Sequence, residues 1–513
     1  MQFQLTALRL SIKDSRSSHK RKSGLPLWGL ALLFLLVASG ILAVPRVVAF
    51  SNGQNASIVI GQSGFFANSK IAPLINQSRF SVPYDVKFDS SGNLWVADSA
   101  DSRVLEFKAP FSSDESASVV LGESSFSTSY LSGSTGLNGT VLSTPEAIAF
   151  DSSGNLWVSD TGDGRIVEFK APFSTGENAS LVLGVPNLHT EGGGLDLPAS
   201  QSDLNSPAGI TFDSSGNLWV ADSGYYRVTE FKAPLSNGEN ASVVLGQDNF
   251  TAKDFPNESD CPPSCDTPTM ATLNNPFDVA FDSFGNLWVA DRSDHRVVEF
   301  TPPFSDGQTA SVAVGGSCAI FGEVLAANCL SVTEFLGFDH SGMLWVSDTG
   351  NGRVLGFPSP ITSGENATVV LGEPDFATTF GVVVNATQSN MVNPEGFAFD
   401  SSGNIWVTDS GLNRVLEFTA SAVVSTSTTH SVSQSTVSTG VSSVSSIQTT
   451  TGAPTETTSS AAQPTISSSA AASGSGGGVP EFPYQAALVA TFTVLVVASY
   501  LLAKGRTERR RAK

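Results

Sequence analysis

At 513 residues the chain has room for one large domain or several ordinary ones, yet only 14% of its residues are charged, well below the roughly 25% usual in soluble proteins. The formal net charge is −20, and residues 50–478 alone hold 14 basic against 44 acidic residues, about −30 net. That balance excludes a nucleic-acid partner, which needs a basic footprint, and suits a cationic partner, a metal ion or plain solubility.

The missing basic residues sit at the two ends. "LPLWGLALLFLLVASGILAV", 25–44, follows "HKRK" and reads as a signal peptide or an uncleaved anchor. Val47-Val48-Ala49 resembles a small-residue cleavage site, which favours cleavage near Ala49. At the other end "YQAALVATFTVLVVASYLLA", 484–503, is long enough to span a bilayer, and the "KGRTERRRAK" behind it should stay cytoplasmic. Residues 50–478 are therefore expected outside the cell. Nine Asn-X-Ser/Thr sequons, at Asn55, Asn76, Asn138, Asn178, Asn240, Asn249, Asn257, Asn366 and Asn385, fit a glycosylated exterior, although each alone is weak in a chain so rich in Ser and Thr. The cysteines form two close pairs, Cys261/Cys265 and Cys318/Cys329. Two local disulfides are the reading for an exported chain; a four-cysteine metal site has no Cys-X-X-Cys spacing behind it.

Between the ends the chain repeats itself. "DSSGNLWVAD" at 89–98 recurs unchanged at 213–222, with near copies at 151–160, 282–291, 339–348 and 400–409, spaced 57 to 69 residues apart. Each copy reads as four strand-like pieces bounded by turns. The first is "PYDVKFD", 83–89; proline opens five copies and Thr333 the fifth one. Proline is tolerated at the first residue of a strand. Alternation places Val86 and Phe88 on one face and Asp85 and Lys87 on the other, and in the other copies that second face is mostly Ala, Gly or Thr. Small residues there suit a strand crowded near an axis. "DSSG" then supplies a type I turn with a glycine able to take positive φ.

The second piece, "NLWVAD", carries one tryptophan per copy: Trp95, Trp157, Trp219, Trp288, Trp345 and Trp406. A residue recurring at one place in every copy reads as packing. The pairs Asp98/Arg103, Asp160/Arg165, Asp222/Arg227, Asp291/Arg296, Asp348/Arg353 and Asp409/Arg414 keep one spacing. The Asp ends one strand and the Arg begins the next, so these read as ion pairs fixing a hairpin. The third piece is "RVLEF", and the fourth is "ASVVLGESSF", 117–126. The chain begins with a fourth piece, "ASIVIGQSGF" at 56–65, and its last copy ends with a third piece at 414–418. A ring in which the first strand completes the last unit explains both and removes frayed ends.

The phrase P-x-x-V-A-F-D-S-S-G-N-L-W-V-A-D-S-x-x-x-R-V-x-E-F resembles the NHL repeat over residues 50–419. The resemblance implies an all-β, six-bladed β-propeller with four-stranded blades, the N-terminal strand completing the last. Most fourth pieces are followed by an insert of about 15 to 25 residues, near 127–143, 189–205, 251–275 and 318–332. Loops of this kind carry recognition. Residues 420–478 hold no Lys, Arg or aromatic residue and cannot bury a core; they read as a disordered, O-glycosylated stalk. "VPEFP" at 479–483 precedes the apolar span, and this ending resembles archaeal sorting signals processed by archaeosortase-like enzymes; an ordinary membrane anchor is the alternative.

Six-bladed propellers include hydrolases and lyases with metal ligands at the central channel. His19 and His430 lie outside the propeller, and His189, His295 and His340 are not equivalent positions in three blades. A histidine-held metal is therefore not expected. Carboxylates follow the opening residue of several inner strands: Asp85, Glu146, Asp278, Glu334 and Glu395. They could hold Ca2+ at the channel mouth, since that ion takes oxygen ligands, or be solvated rim residues. No nucleophile–base set and no Gly-x-Ser-x-Gly is present. No cofactor is required. The sequence thus favours a surface-anchored binding module for an extracellular protein or glycan, membrane-bound through its C-terminal helix. A metal-dependent extracellular hydrolase or lyase is the alternative, and a structural envelope component a third.

Overall fold

A computed structural model describes residues 48–67, 75–128, 139–190, 192, 199–252, 268–316, 325–378 and 385–422. The apolar segments 25–44 and 484–503, the stalk, Asn138, Asn257, Cys261, Cys265 and Cys318 lie outside these residues. No helix among the described residues is long and apolar enough to cross a membrane.

The repeated phrase folds as a hairpin because Asp89 organises the turn. Its Oδ1 accepts the N–H groups of Ser91 and Asn93 at 2.8 and 2.9 Å, and its carbonyl accepts that of Gly92, whose φ is +82°. The remaining oxygen accepts the indole N–H of Trp95 at 3.2 Å. The inner strand Pro83–Phe88 pairs with Leu94–Asp98, which pairs with Arg103–Phe107, which pairs with the outer strand Val119–Leu121. Blades 2 to 5 repeat this order from inner strands opening at Pro145, Pro207, Pro276 and Thr333. Blade 6 takes Pro394–Phe399, Ile405–Asp409 and Arg414–Phe418, and its outer strand is Ile58–Ile60. The six-bladed, four-stranded ring is as the repeats predict, closed by the N-terminal strand. The outer strands are three or four residues long, shorter than the ten-residue fourth piece, whose second half turns away into the insert.

Neighbouring blades are joined by two repeated devices. Each tryptophan meets, edge to face, the phenylalanine that ends the next blade's inner strand. Trp95 lies 6.0 Å from Phe150, and Trp406 lies 6.0 Å from Phe88, closing the circle. Such pairs add about 0.5–1.5 kcal/mol beyond their burial. The middle residue of each outer strand is held by the next blade's turn. Val120 donates to Thr175 Oγ1 and accepts from Gly176; Val370 donates to Asn52 Oδ1 and accepts from Gly53. The outer edges thus offer little to another strand.

A third device, the Asp–Arg pair, works within each blade. Arg103, Arg165, Arg227, Arg296, Arg353 and Arg414 each donate from Nε to Oδ2 of Asp98, Asp160, Asp222, Asp291, Asp348 and Asp409 in turn, at 2.7 or 2.8 Å. All twelve side chains are buried. The other Asp oxygen accepts a backbone N–H from the segment entering the blade, Ser81 at 2.6 Å in blade 1.

The hairpin role expected of these arginines is too narrow. A buried guanidinium must fill its outer nitrogens as well, and it does so with carbonyls beyond the hairpin. Arg103 Nη2 donates to the carbonyl of Arg79 and Nη1 to that of Phe126, so one guanidinium ties down the segments before and after its blade. Arg165 holds the carbonyls of Val141 and Leu188 in the same way, at 3.0 and 2.8 Å. Arg227 holds those of Asp203 and Phe250, both at 2.8 Å, and Arg353 those of Cys329 and Phe376, at 3.0 and 2.6 Å. Arg296 Nη2 donates twice to the segment entering blade 4, to the carbonyls of Thr269 at 2.7 Å and Thr272 at 3.1 Å. These side chains are therefore parts of the blade interior and face no ligand.

Removing one partner leaves a buried charge uncompensated. Asp98→Asn should cost about 3–5 kcal/mol, read as a lowered denaturation midpoint. The closing segment is equally testable. Phe50 sits 5.1 Å from Trp345, buried, and Phe50→Ala should cost about 3 kcal/mol or more in the same measurement. An unchanged midpoint would show that the N-terminal segment does not close the ring.

Candidate functional site at the channel mouth

Antiparallel order puts the starts of the inner strands, the Asp–X4–Arg turns and the inserts at one end of every blade. The DSSG turns lie at the other end. At the insert end, the residues after the opening positions are Tyr84, Glu146, Ala208, Phe277, Glu334 and Glu395; Tyr84 feels the charge of all three glutamates, and its ring centre lies 6.2 Å from that of Phe277 in the opposite blade. A register shift at the start of each inner strand, between Pro83 and Val86 in blade 1, breaks simple alternation there. This is why Tyr84 reaches the channel although alternation assigns that face to Asp85.

Three of the five carboxylates come together here, with a residue that the motif reading overlooks. Arg292 stands where the other blades have Ser99, Thr161, Ser223, Thr349 and Ser410. Thr161 and Thr349 use that position to donate to the carbonyls of Pro207 and Pro394, at 2.6 and 2.7 Å. Arg292 instead donates from Nε to Glu334 Oε1 at 2.8 Å, its guanidinium 5.3 Å from the Phe277 ring centre. Ser410 Oγ donates to Glu395 Oε1 at 2.9 Å, and the Glu334 and Glu395 carboxyls are close enough to bear on each other's ionisation. Burial, then the charge of Glu334, pushes the Glu146 carboxyl up to about 8, against the pull of Arg292 and a hydrogen bond from Thr161. Glu395 is raised well above the usual carboxyl range, by burial first and then by Glu334. Burial and all three glutamates likewise raise Tyr84.

Asp85 and Asp278 do something else. Asp85 Oδ1 accepts the N–H of Val86 at 2.8 Å and the ammonium of Lys87 at 2.6 Å; Oδ2 accepts the N–H of Ile148 in blade 2 at 3.0 Å. Three blades on, Asp278 Oδ2 accepts the N–H of Leu336 in blade 5 at 3.1 Å. Their Oδ1 atoms occupy the space that a Cβ on Gly396 or Gly209 would need. Both carboxylates therefore knit inner strands together. Among the described residues no group of three or more His, Cys, Asp or Glu is arranged to hold a metal ion. His295 serves the backbone, its Nδ1 accepting the Val332 N–H at 3.0 Å. Asn55, Asn76, Asn178, Asn240, Asn249, Asn366 and Asn385 are all exposed. Cys329 is disulfide-bonded.

The NHL repeat family model matches residues 204–231 and 391–418, so the chain carries NHL repeats in a six-bladed propeller. Teneurin-1 of Mus musculus and of Homo sapiens are each 25% identical over 293 residues, which is 51% of this chain and 10% of those proteins. The chain thus matches about a tenth of the length of these relatives. Among solved structures, a streptogramin B lyase aligns with TM-score 0.39 and 12% identity, over 68% of this chain and 96% of that one. A gluconolactonase from Xanthomonas campestris aligns with TM-score 0.38 and 16% identity, over 73% and 99%.

The raised carboxyls set a pH dependence. Glu146 at about 8 and Asp278 at about 7 bind protons more tightly folded than unfolded. Their contribution to stability is complete below the unfolded carboxyl range and is lost as pH rises through about 7 to 8. The melting temperature should therefore rise as pH falls from about 9 to about 5, and Glu146→Gln should flatten that slope.

Proposed function

We propose that the chain is a cell-surface display protein whose propeller is an extracellular binding module for a protein or glycan. Residues 420–478 would stand it off the membrane, and 484–503 would anchor it. The observation that carries the reading is the placement of what departs from the repeat. The inserts and the Arg292–Glu334–Glu395 cluster leave from one end of the blades, while at the opposite end four of the six turns read DSSG and the other two differ from it by one residue each, the exposed Phe284 and His340. Exposed sequon asparagines support an exterior location.

Binding of the labelled full chain to a glycan array and to intact cells tests this. Replacing 191–198, which leaves the buried Ala199 and Leu204 and the pinned Asp203 in place, with a Gly/Ser segment of equal length should abolish binding, whereas Ser91→Arg on the opposite end should leave it intact. The reverse pattern, or no binding on either platform, would overturn the reading.

The second reading is a metal-dependent hydrolase or lyase. It would draw oxygen ligands from Glu146, Glu334 and Glu395, which approach one another at the insert end but would have to rearrange, since among the described residues no three acidic groups are placed to hold an ion. Metal content of the chain purified without chelator decides it. About one tightly held ion per chain would support it, together with loss of turnover in Glu146→Gln; a metal-free, folded chain would remove it.

A further inference from the structure

Glu334 and Glu395 are both buried, and each has one oxygen supplied with a donor: Glu334 Oε1 by Arg292 Nε, Glu395 Oε1 by Ser410 Oγ. The other two oxygens, Glu334 Oε2 and Glu395 Oε2, are buried and receive no donor from an N–H or O–H group among the described residues. The two carboxyls occupy the same position on the neighbouring inner strands of blades 5 and 6, which pack against each other, and each is close enough to bear on the other's ionisation. Two carboxylates cannot hydrogen-bond without a proton between them, and two ionised carboxylates in a buried contact repel strongly.

We propose that Glu334 and Glu395 share a single proton, forming a proton-binding site at the insert-side mouth of the channel that ties blade 5 to blade 6. The chain of contacts then runs Arg292–Glu334–proton–Glu395–Ser410 and links blades 4, 5 and 6 across the mouth. The proton is assigned to Glu395, because Glu334 already accepts from a guanidinium whereas the side chain that donates to Glu395 is an uncharged hydroxyl. The other charged or titratable groups facing the pair are Glu146 from blade 2 and Tyr84 from blade 1. Both keep their protons at neutral pH, so neither neutralises a second negative charge on the pair. Asp278 and Asp85, on the flanking inner strands, are turned instead to the backbone N–H groups of Leu336 and Ile148. With the proton in place, the pair and Arg292 carry no net charge, in a chain of net charge −20. Loss of the proton sets two carboxylates against each other and loosens the mouth.

The test is carried out on the full chain. Infrared absorption of protonated carboxyls is followed as pH is raised, beside melting temperature. In Glu395→Gln the amide donates to Glu334 Oε2 in place of the proton. One protonated-carboxyl component present in the wild type at pH 7 should be missing from this variant. The loss of melting temperature above pH 7 should also be smaller. Ser410→Ala, a milder change, removes a donor that favours ionised Glu395 and should move the disappearance of that component to higher pH. The proposal is overturned if Glu395→Gln retains the full carboxyl absorption, if its pH slope equals the wild type's, or if Ser410→Ala produces no shift.

Discussion

The structure depends on a salt bridge that is costly to bury. Taking a carboxylate and a guanidinium out of water costs several kcal/mol per ion after relaxation, and attraction offsets it only with good geometry and every remaining site filled. The repeat meets both conditions. Asp98 gives one oxygen to Arg103 and the other to the Ser81 N–H, while Arg103 directs its outer nitrogens to the carbonyls of Arg79 and Phe126. The cost still shows: burial pushes the Asp98 carboxyl up to about 7 in spite of its partner. What the pair supplies is registration. It fixes where the chain enters each blade and, in every blade but the fourth, where it leaves. Arg414 performs the same task across the ring closure, holding the carbonyls of Phe65 and Asn390.

With the inserts pinned where they meet the blades, save at the start of the one after blade 4, the insert-bearing end is free to vary, and the chain's individuality collects there. One blade exchanges a hydroxyl for Arg292. Three blades contribute glutamates, and blade 3 contributes only Ala208 at the equivalent position. The result is an asymmetric mouth on a nearly symmetric ring. One wall is an arginine–carboxyl–carboxyl–serine chain backed by Phe277, its two carboxyls and serine buried and its guanidinium partly exposed. The other holds Tyr84 and a carboxyl, Glu146, whose burial keeps it largely neutral at pH 7. Such a surface offers hydrogen-bonding groups and little net charge.

The fold was legible because the repeat is written by side chains with one mechanical task each. Proline marks a strand start, Asp-Ser-Ser-Gly a turn, tryptophan a blade contact, and a stray fourth piece at the N-terminus a closed ring. The repeat arginines were legible only in part: their spacing reveals the carboxylate five residues back, but not the carbonyls that Arg165, Arg227 and Arg353 reach across an insert. The site was also only partly legible. Glu146, Glu334 and Glu395 follow from their position after the opening residue. Asp85 and Asp278 share the strand but not the role, because the register shift turns them toward backbone N–H groups of the next blade, and a single strand does not reveal which neighbour's backbone lies opposite. Arg292 was findable: at that position the six copies read Ser, Thr, Ser, Arg, Thr, Ser. The repeat reading looked for what recurs and passed over the one letter that does not.

The central claim is a ring closed by its own N-terminal strand and pinned blade by blade. Amide hydrogen exchange on the full chain measures this directly. Val59 and Ile60 should exchange as slowly as Val120 and Leu121, their counterparts in blade 1. Rapid exchange at Val59 and Ile60, with the other outer strands protected, would show an open array and contradict the account.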